Sequence, residues 1–229
     1  MPTVLRAVLF DLDDTLYPEI DFARSGFAAV AAALEARFAV PAGTARAALA
    51  AALDAHGRGQ TIDRALAALG IAVAPGLIGE LVAVYRSHAP RLALHPDAIR
   101  ALDRLRRRGL ALGVVTDGDP AVQRAKAAAL DLARWIGHLR CTWDDGAERQ
   151  KPHPQAFTRA LAALHVAGDE AAYVGDNPAK DFVGARGLGL HTVRLRRGPH
   201  GDAVAAAGHA AAVDIASLDE LDAALGLAP

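Results

Sequence analysis

Cysteine is all but missing from this 229-residue chain: Cys141 stands alone, so no internal disulfide can form, and a reducing compartment is expected. An excess of one charge is missing too. The 25 basic and 26 acidic residues leave a formal charge of −1, without the basic surplus of a nucleic-acid platform. Long apolar runs are absent at the start, where MPTVLRAVLFDLDDT is broken by Arg6 and then by an acidic cluster. Neither a signal peptide nor a membrane span is expected, and a soluble cytoplasmic protein is the starting point. Lysine is scarce as well, with only Lys126, Lys151 and Lys180 among the 25 basic residues. Arginine replaces lysine poorly where a compact ammonium must fit a small pocket, so the three survivors are candidates for such positions. What is present, 52% apolar and 22% charged residues, is ordinary for a folded chain with a sizeable core.

The pattern along the chain changes twice. Residues 4–10, VLRAVLF, read as a buried strand ending at Asp11. From 17 to 95 the periodicity is helical and Ala/Leu-rich. Phe27, Val30, Leu34 and Phe38 share one face, Pro41 breaks the helix, and Thr44 is expected to cap the next one. Further helices are expected over 61–69 and 76–87. After Pro96 strands and helices alternate: helix 97–108, strand 110–116, helix 120–132, a weaker strand at 136–142, helix 154–165, strand 171–175, helix 179–186 and strand 191–195. A terminal helix is expected within 216–227. This rhythm predicts parallel βαβ units. The expected architecture is an α/β doubly wound parallel sheet built from 1–16 and 96–229, with a helical bundle, 17–95, inserted after the first strand.

In such a sheet ligands bind beyond the carboxyl ends of the strands. Those ends carry Asp11, Asp13, Asp14 and Thr15; Thr116, Asp117 and Gly118; and Asp176, followed by Asp181, while Lys151-Pro152 opens a helix. Carboxylates gathered this closely would not all ionise without a cation. Oxygen donors without thiolates favour Mg²⁺ over Zn²⁺. A hydroxyl and an ammonium beside them suit a transferring phosphate.

Four segments in order, DLDDTLYP (11–18), VVTDG (114–118), Lys151-Pro152 and GDNPAKD (175–181), resemble the motifs of haloacid dehalogenase superfamily hydrolases, in the phosphatase branch with a helical cap of the C1 type. The resemblance implies a Mg²⁺-dependent phosphatase acting on a small phosphorylated metabolite, with no nucleic-acid or membrane partner. It implies Asp11 as the nucleophile that forms an aspartyl-phosphate and Asp13 as general acid and base. Asp11, Asp176 and the main-chain carbonyl of Asp13 are the implied metal ligands, and Asp181 acts through water or by orienting Lys151. Thr116, Lys151 and backbone N–H groups near Asp117 and Gly118 are the implied phosphate clamp.

Asp117 stands where many relatives carry Asn, and an anion there is unfavourable unless it points away from the phosphate. Lys126 reads as structural. Trp135, Trp143 and Cys141 read as packing residues, and the arginines at 104–108 and 194–197 as solvated helix-end and strand-edge positions. Tyr17, Arg24 and the 56–61 loop are candidates for substrate choice. Two other readings remain: a dehalogenase, whose halide leaving group needs neither acid nor metal, and a phospho-accepting signalling module, which would lack the inserted helices.

Overall fold

A computed structural model describes residues 4–57 and 59–227. Its contacts group the chain into two units, Met1–Glu19 with Ala93–Pro229, and Ile20–Leu92. The sequence pattern places the junctions at 16/17 and 95/96, so the observed ones fall three residues inside the expected helical segment at each end. The offset has a physical cause at its second end: the main-chain N–H of His95 donates to Leu16 O at 2.9 Å, tying that stretch to the sheet unit.

In the first unit six parallel strands run β1 (Ala7–Phe10), β2 (Ala111–Thr116), β3 (His138–Cys141), β4 (Ala171–Gly175), β5 (His191–Leu195) and β6 (Val213–Ile215). Their order across the sheet is β3-β2-β1-β4-β5-β6. The connections therefore run outward in one direction from β1 and then return to its other side. This reversal opens a crevice at the carboxyl end of β1, between β2 and β4. Phe10 pairs with Val114 on one side and Val174 on the other, so Asp11, Thr116 and Asp176 leave the sheet at similar heights.

The strands form where apolar runs are continuous because helices cover both faces. All four residues of β1 and all five of β4 are buried. Phe157, Tyr173, Phe182 and Leu9 fill one side of the core. Full burial of a large apolar side chain contributes roughly 1.5–3 kcal/mol, so these positions dominate the unit's stability. The helices start where capping chemistry allows. Pro96 opens α5 (Pro96–Arg107), and Pro120 opens α6 (Pro120–Ala129). Asp119 caps α6, its carboxylate accepting from Ala121 N at 2.8 Å and Val122 N at 3.3 Å. The remaining helices of this unit are α7 (Gln155–Leu164), α8 (Phe182–Gly187) and α9 (Leu221–Ala224).

The second unit holds most of one long helix, α1 (Glu19–Phe38), followed by α2 (Ala42–His56), α3 (Thr61–Ala68) and α4 (Leu77–Ser87). Val30 and Leu34 pack with Ala45, Leu49, Leu66 and Leu77, and Phe38 joins this cluster as a partly buried member. Gly26 lets Tyr85 lie against the long helix; a Cβ there would meet the Tyr85 ring at 2.6 Å.

Several local expectations are corrected. The helix Ala42–His56 begins before Thr44, which lies within its first turn; the orphan N–H of Ala42 is satisfied instead by Glu35 Oε1 at 3.0 Å. The first strand is shorter than 4–10. The terminal helix shrinks to a single 3₁₀ turn and α9, and β6 precedes it, pairing Val193 with Val213 at the sheet edge. An Ala-rich run with one short apolar triplet carries no period that marks such an edge strand. Trp143 is exposed. Arg194 is buried, not solvated, because its Nη2 donates to the carbonyls of His200, Gly201 and Ala203. Arg104 and Arg108 reach Asp222, and Arg104 also reaches Asp219.

Candidate active site

Asp11 follows β1 directly, and its main-chain N–H donates to Val174 O at 2.8 Å, which extends the sheet by one bond. The carboxylates of Asp11, Asp176 and Asp181 converge there, with one oxygen of each within 4.8 Å of the others. All three residues are buried. Glycine at 175 makes the convergence possible: a Cβ at that position would lie 2.5 Å from Asp181 Oδ2. Asp181 Oδ2 also accepts from Asn177 N at 2.8 Å, which folds the 176–181 turn back onto the strand end.

Lys151 supplies the balancing charge. Its Nζ donates to Asp11 Oδ1 at 2.7 Å, to Asp181 Oδ1 at 2.8 Å and to the Tyr173 hydroxyl at 2.9 Å. An ammonium has three protons, and all three are used. Burial works against the charged lysine, but Asp11 and Asp181 outweigh it and hold Lys151 protonated well above the usual range. One ammonium does not neutralise three carboxylates. Burial, helped by Asp181 and opposed by Lys151, pushes Asp11 up to about 6. Burial and the neighbouring Asp11 and Asp181 push Asp176 up to about 8. A cation bound among these oxygens would remove that penalty, and a donor set of carboxylates with no thiolate or imidazole suits a hard divalent ion. The residues present therefore fit a metal.

Asp13 lies outside this cluster. Its Oδ1 accepts from Lys126 Nζ at 2.7 Å and from the Tyr17 hydroxyl at 2.5 Å; its Oδ2 accepts from Lys126 Nζ at 2.9 Å and Gln123 Nε2 at 3.0 Å. Burial alone would raise this carboxyl, but Lys126 above all, with Tyr17 and Gln123, holds it below the ordinary range. Gln123 also reaches Thr116, its Nε2 lying 2.5 Å from Oγ1. Because an ionised carboxylate only accepts, the amide nitrogen must face Asp13, and Thr116 Oγ1 then accepts and keeps its own proton to donate elsewhere.

Asp117 turns its carboxylate away into other partners. Oδ1 accepts from Thr142 Oγ1 and from the main-chain N–H of Lys151, both at 3.0 Å, while Oδ2 lies 3.2 Å from Lys180 Nζ. Only its main chain, with that of Gly118, remains for an anion. Gly118 has φ +116°, a conformation glycine adopts without strain.

Lys126 is corrected from structural filler to a partner of Asp13, and Gln123, Lys180 and Tyr173 are additions. Lys126 and Gln123 sit on one face of α6 at i and i+3, and both are buried. The lysine scarcity pointed at Lys126 and Lys180; an Ala-rich helix gave no other signal. Asp14 and Thr15 belong to the turn after β1, where Asp14 Oδ1 accepts from Glu19 N at 2.9 Å.

A model of the haloacid dehalogenase-like hydrolases matches residues 5–189 of this chain. The chain belongs to that family. Within it, the chain is 33% identical over 207 residues to a glyceraldehyde 3-phosphate phosphatase of Methanopyrus kandleri, covering 87% of each sequence. Solved members with similar structures include a HAD phosphatase from Thermococcus onnurineus, at 26% identity and a TM-score of 0.62 over 97% of this chain and 98% of that one. A 2-haloacid dehalogenase from Pseudomonas syringae gives 26% identity and a TM-score of 0.66 over 97% and 99%. The haloacid dehalogenase-like hydrolases thus supply neighbours of two chemistries on one fold, and the choice between them rests on the site.

Proposed function

We propose that this protein is a Mg²⁺-dependent phosphatase that hydrolyses the monoester of a small phosphorylated metabolite through an aspartyl-phosphate on Asp11. The observation that carries this reading is the trio Asp11, Asp176 and Asp181 beside the fully bonded ammonium of Lys151. A halide leaving group would need neither this cation site nor an acid. The relatives' phosphatase names point the same way.

In the proposed reaction a carboxylate oxygen of Asp11 attacks phosphorus and the bond to the ester oxygen breaks. Asp13 must first take up a proton against the pull of Lys126, and it then gives that proton to the departing alkoxide. Water then attacks the phosphorus of the aspartyl-phosphate, Asp13 takes back a proton, and Asp11 and inorganic phosphate are released. Thr116 Oγ1 and the main-chain N–H groups near Asp117 and Gly118 hold the phosphoryl oxygens, and Lys151 adds its positive charge to that clamp while its three N–H bonds stay on Asp11, Asp181 and Tyr173. Lys151 also fixes the Asp11 carboxylate at 2.7 Å, while Tyr173 and Asp181 hold the lysine in place. Asp11, Asp176 and the main-chain carbonyl of Asp13 would hold Mg²⁺, with Asp181 orienting Lys151. Bound there, the ion would supply charge neutralisation among the carboxylates and the phosphoryl oxygens. The choice among esters is assigned to the helical segment 17–95.

The dehalogenase reading keeps one supporting observation, the similarity to the Pseudomonas syringae enzyme. One experiment separates the two. A panel of sugar phosphates, nucleoside monophosphates, phosphoglycolate and 2-chloropropionate is assayed for phosphate and chloride release, with Mg²⁺ and with EDTA. Phosphate release that EDTA abolishes and Mg²⁺ restores, and that Asp11→Asn loses in a folded protein, is expected. Metal-independent chloride release would replace the proposal with the alternative.

A further inference from the structure

The site contains a buried ammonium that the reaction above does not use. Lys126 is only 4% exposed at its side chain, and it spends its hydrogen bonds on both oxygens of Asp13, with Glu19 Oε1 a further 3.8 Å contact. A buried ion pair adds little to stability compared with a well-packed apolar pair, so its presence here calls for another reason. The geometry offers one. Asp13 has a short side chain whose carboxylate can turn, and a proton-transfer group must be held within a narrow range of its acceptor. Four hydrogen bonds fix that carboxylate: two from Lys126, one from Tyr17 and one from Gln123. Two of the three donors come from consecutive turns of one helix, α6, whose cap Asp119 lies three residues after Thr116. Gln123 also bonds Thr116, so one side chain couples the orientation of Asp13 to that of the hydroxyl assigned to the phosphate.

We propose that Lys126, assisted by Gln123, is a positioning residue that aims the Asp13 carboxylate at the ester oxygen, and that its loss harms esters in proportion to their need for a proton. This rests on the phosphatase reading. A nitrophenolate departs without protonation, whereas a phenolate benefits from it, and the two parent esters differ little in size. The pair therefore reads proton delivery apart from binding.

The test compares p-nitrophenyl phosphate with phenyl phosphate. Lys126→Met is expected to lower kcat on phenyl phosphate by about 10²-fold, the scale of losing general acid help, and on p-nitrophenyl phosphate by less than about tenfold, with KM little changed. Lys126→Arg should move the ratio of the two rates back toward that of the wild type. In an Asp13→Asn background, Lys126→Met should cost nothing further, because it acts only through Asp13. If Lys126→Met does not fold by circular dichroism, Lys126→Gln is judged by the same ratio. Equal fractional losses on both esters, or a full additional loss in the Asp13→Asn background, would overturn the positioning role while leaving the phosphatase reading intact. A wild-type protein that hydrolyses neither ester, and no other phosphomonoester, would instead remove the reading beneath it.

Discussion

The main-chain N–H of Lys151 donates to Asp117 Oδ1 at 3.0 Å, so the carboxylate that follows β2 holds the loop that delivers the site's buried ammonium. The same oxygen accepts from Thr142, and the other faces Lys180. An anion that would repel a phosphate has been turned into a strap between three segments. Its cost is offset locally: burial works against ionisation, yet Lys151, Lys180 and the two hydrogen bonds hold its carboxyl below the ordinary range.

Asp117→Asn keeps an oxygen for Thr142 and Lys151 and loses the charge that faces Lys151 and Lys180, so it should cost about 1 kcal/mol. Asp117→Leu leaves the Lys151 N–H and the Thr142 hydroxyl without their acceptor and should cost about 1–3 kcal/mol, with a drop in turnover as Lys151 loses its anchor. Urea denaturation and initial rates on the two variants check this. Equal effects from both would show that the hydrogen bonds contribute nothing.

On the proposed reading Mg²⁺ should stabilise the folded chain, since an ion held there would relieve repulsion among Asp11, Asp176 and Asp181 that the unfolded chain does not have. At a hundred times its dissociation constant, an ion that binds only the folded state adds about 2.7 kcal/mol. Melting curves against Mg²⁺ concentration should rise for the wild type and stay flat for Asp176→Asn. A flat wild-type curve, measured to millimolar Mg²⁺, would place the ion elsewhere or nowhere.

Acid should destabilise the protein in part through Asp97. Its Oδ2 accepts from Arg197, from Ser217 Oγ and from Leu218 N, the last two at 3.0 Å, joining the start of α5 to the segment before α9. Burial opposes ionisation, but Arg197 and these hydrogen bonds bring the carboxyl down to about 2, against 3.8 for the free group. The folded value is the lower one, so the contribution is complete above pH 4 and disappears as pH falls through about 2. A gap of that size corresponds to about 2 kcal/mol. Denaturation midpoints between pH 5 and 2 should therefore fall less steeply for Asp97→Asn than for the wild type.

Much of this was legible in the sequence, and the reason is physical. Strands buried on both faces are written as unbroken apolar runs, so β1, β2 and β4 announce themselves, and the polar residues that end them, Asp11, Thr116 and Asp176, fall at the crevice by topology alone. The roles given to Asp181 and Lys151 came from the resemblance of their segments to the family's motifs. Lys126 and Gln123 did not, because a polar residue on an Ala-rich helix looks the same whether it meets water or a carboxylate. The scarcity of lysine was the clue that applied to it, and all three lysines meet carboxylates. The edge strand β6 was invisible for another reason: three residues are too few to show a period, and its pairing with β5 is a tertiary fact.

Helix α6 links two turns of chemistry to one short stretch of chain. Thr116 ends a strand, Asp119 starts the helix, and Gln123 and Lys126 are reached within the next two turns. Adding or deleting one residue between them would swing both side chains by about 100° around the helix axis. The length of this segment is thus fixed by its geometry, and insertions for engineering belong outside it.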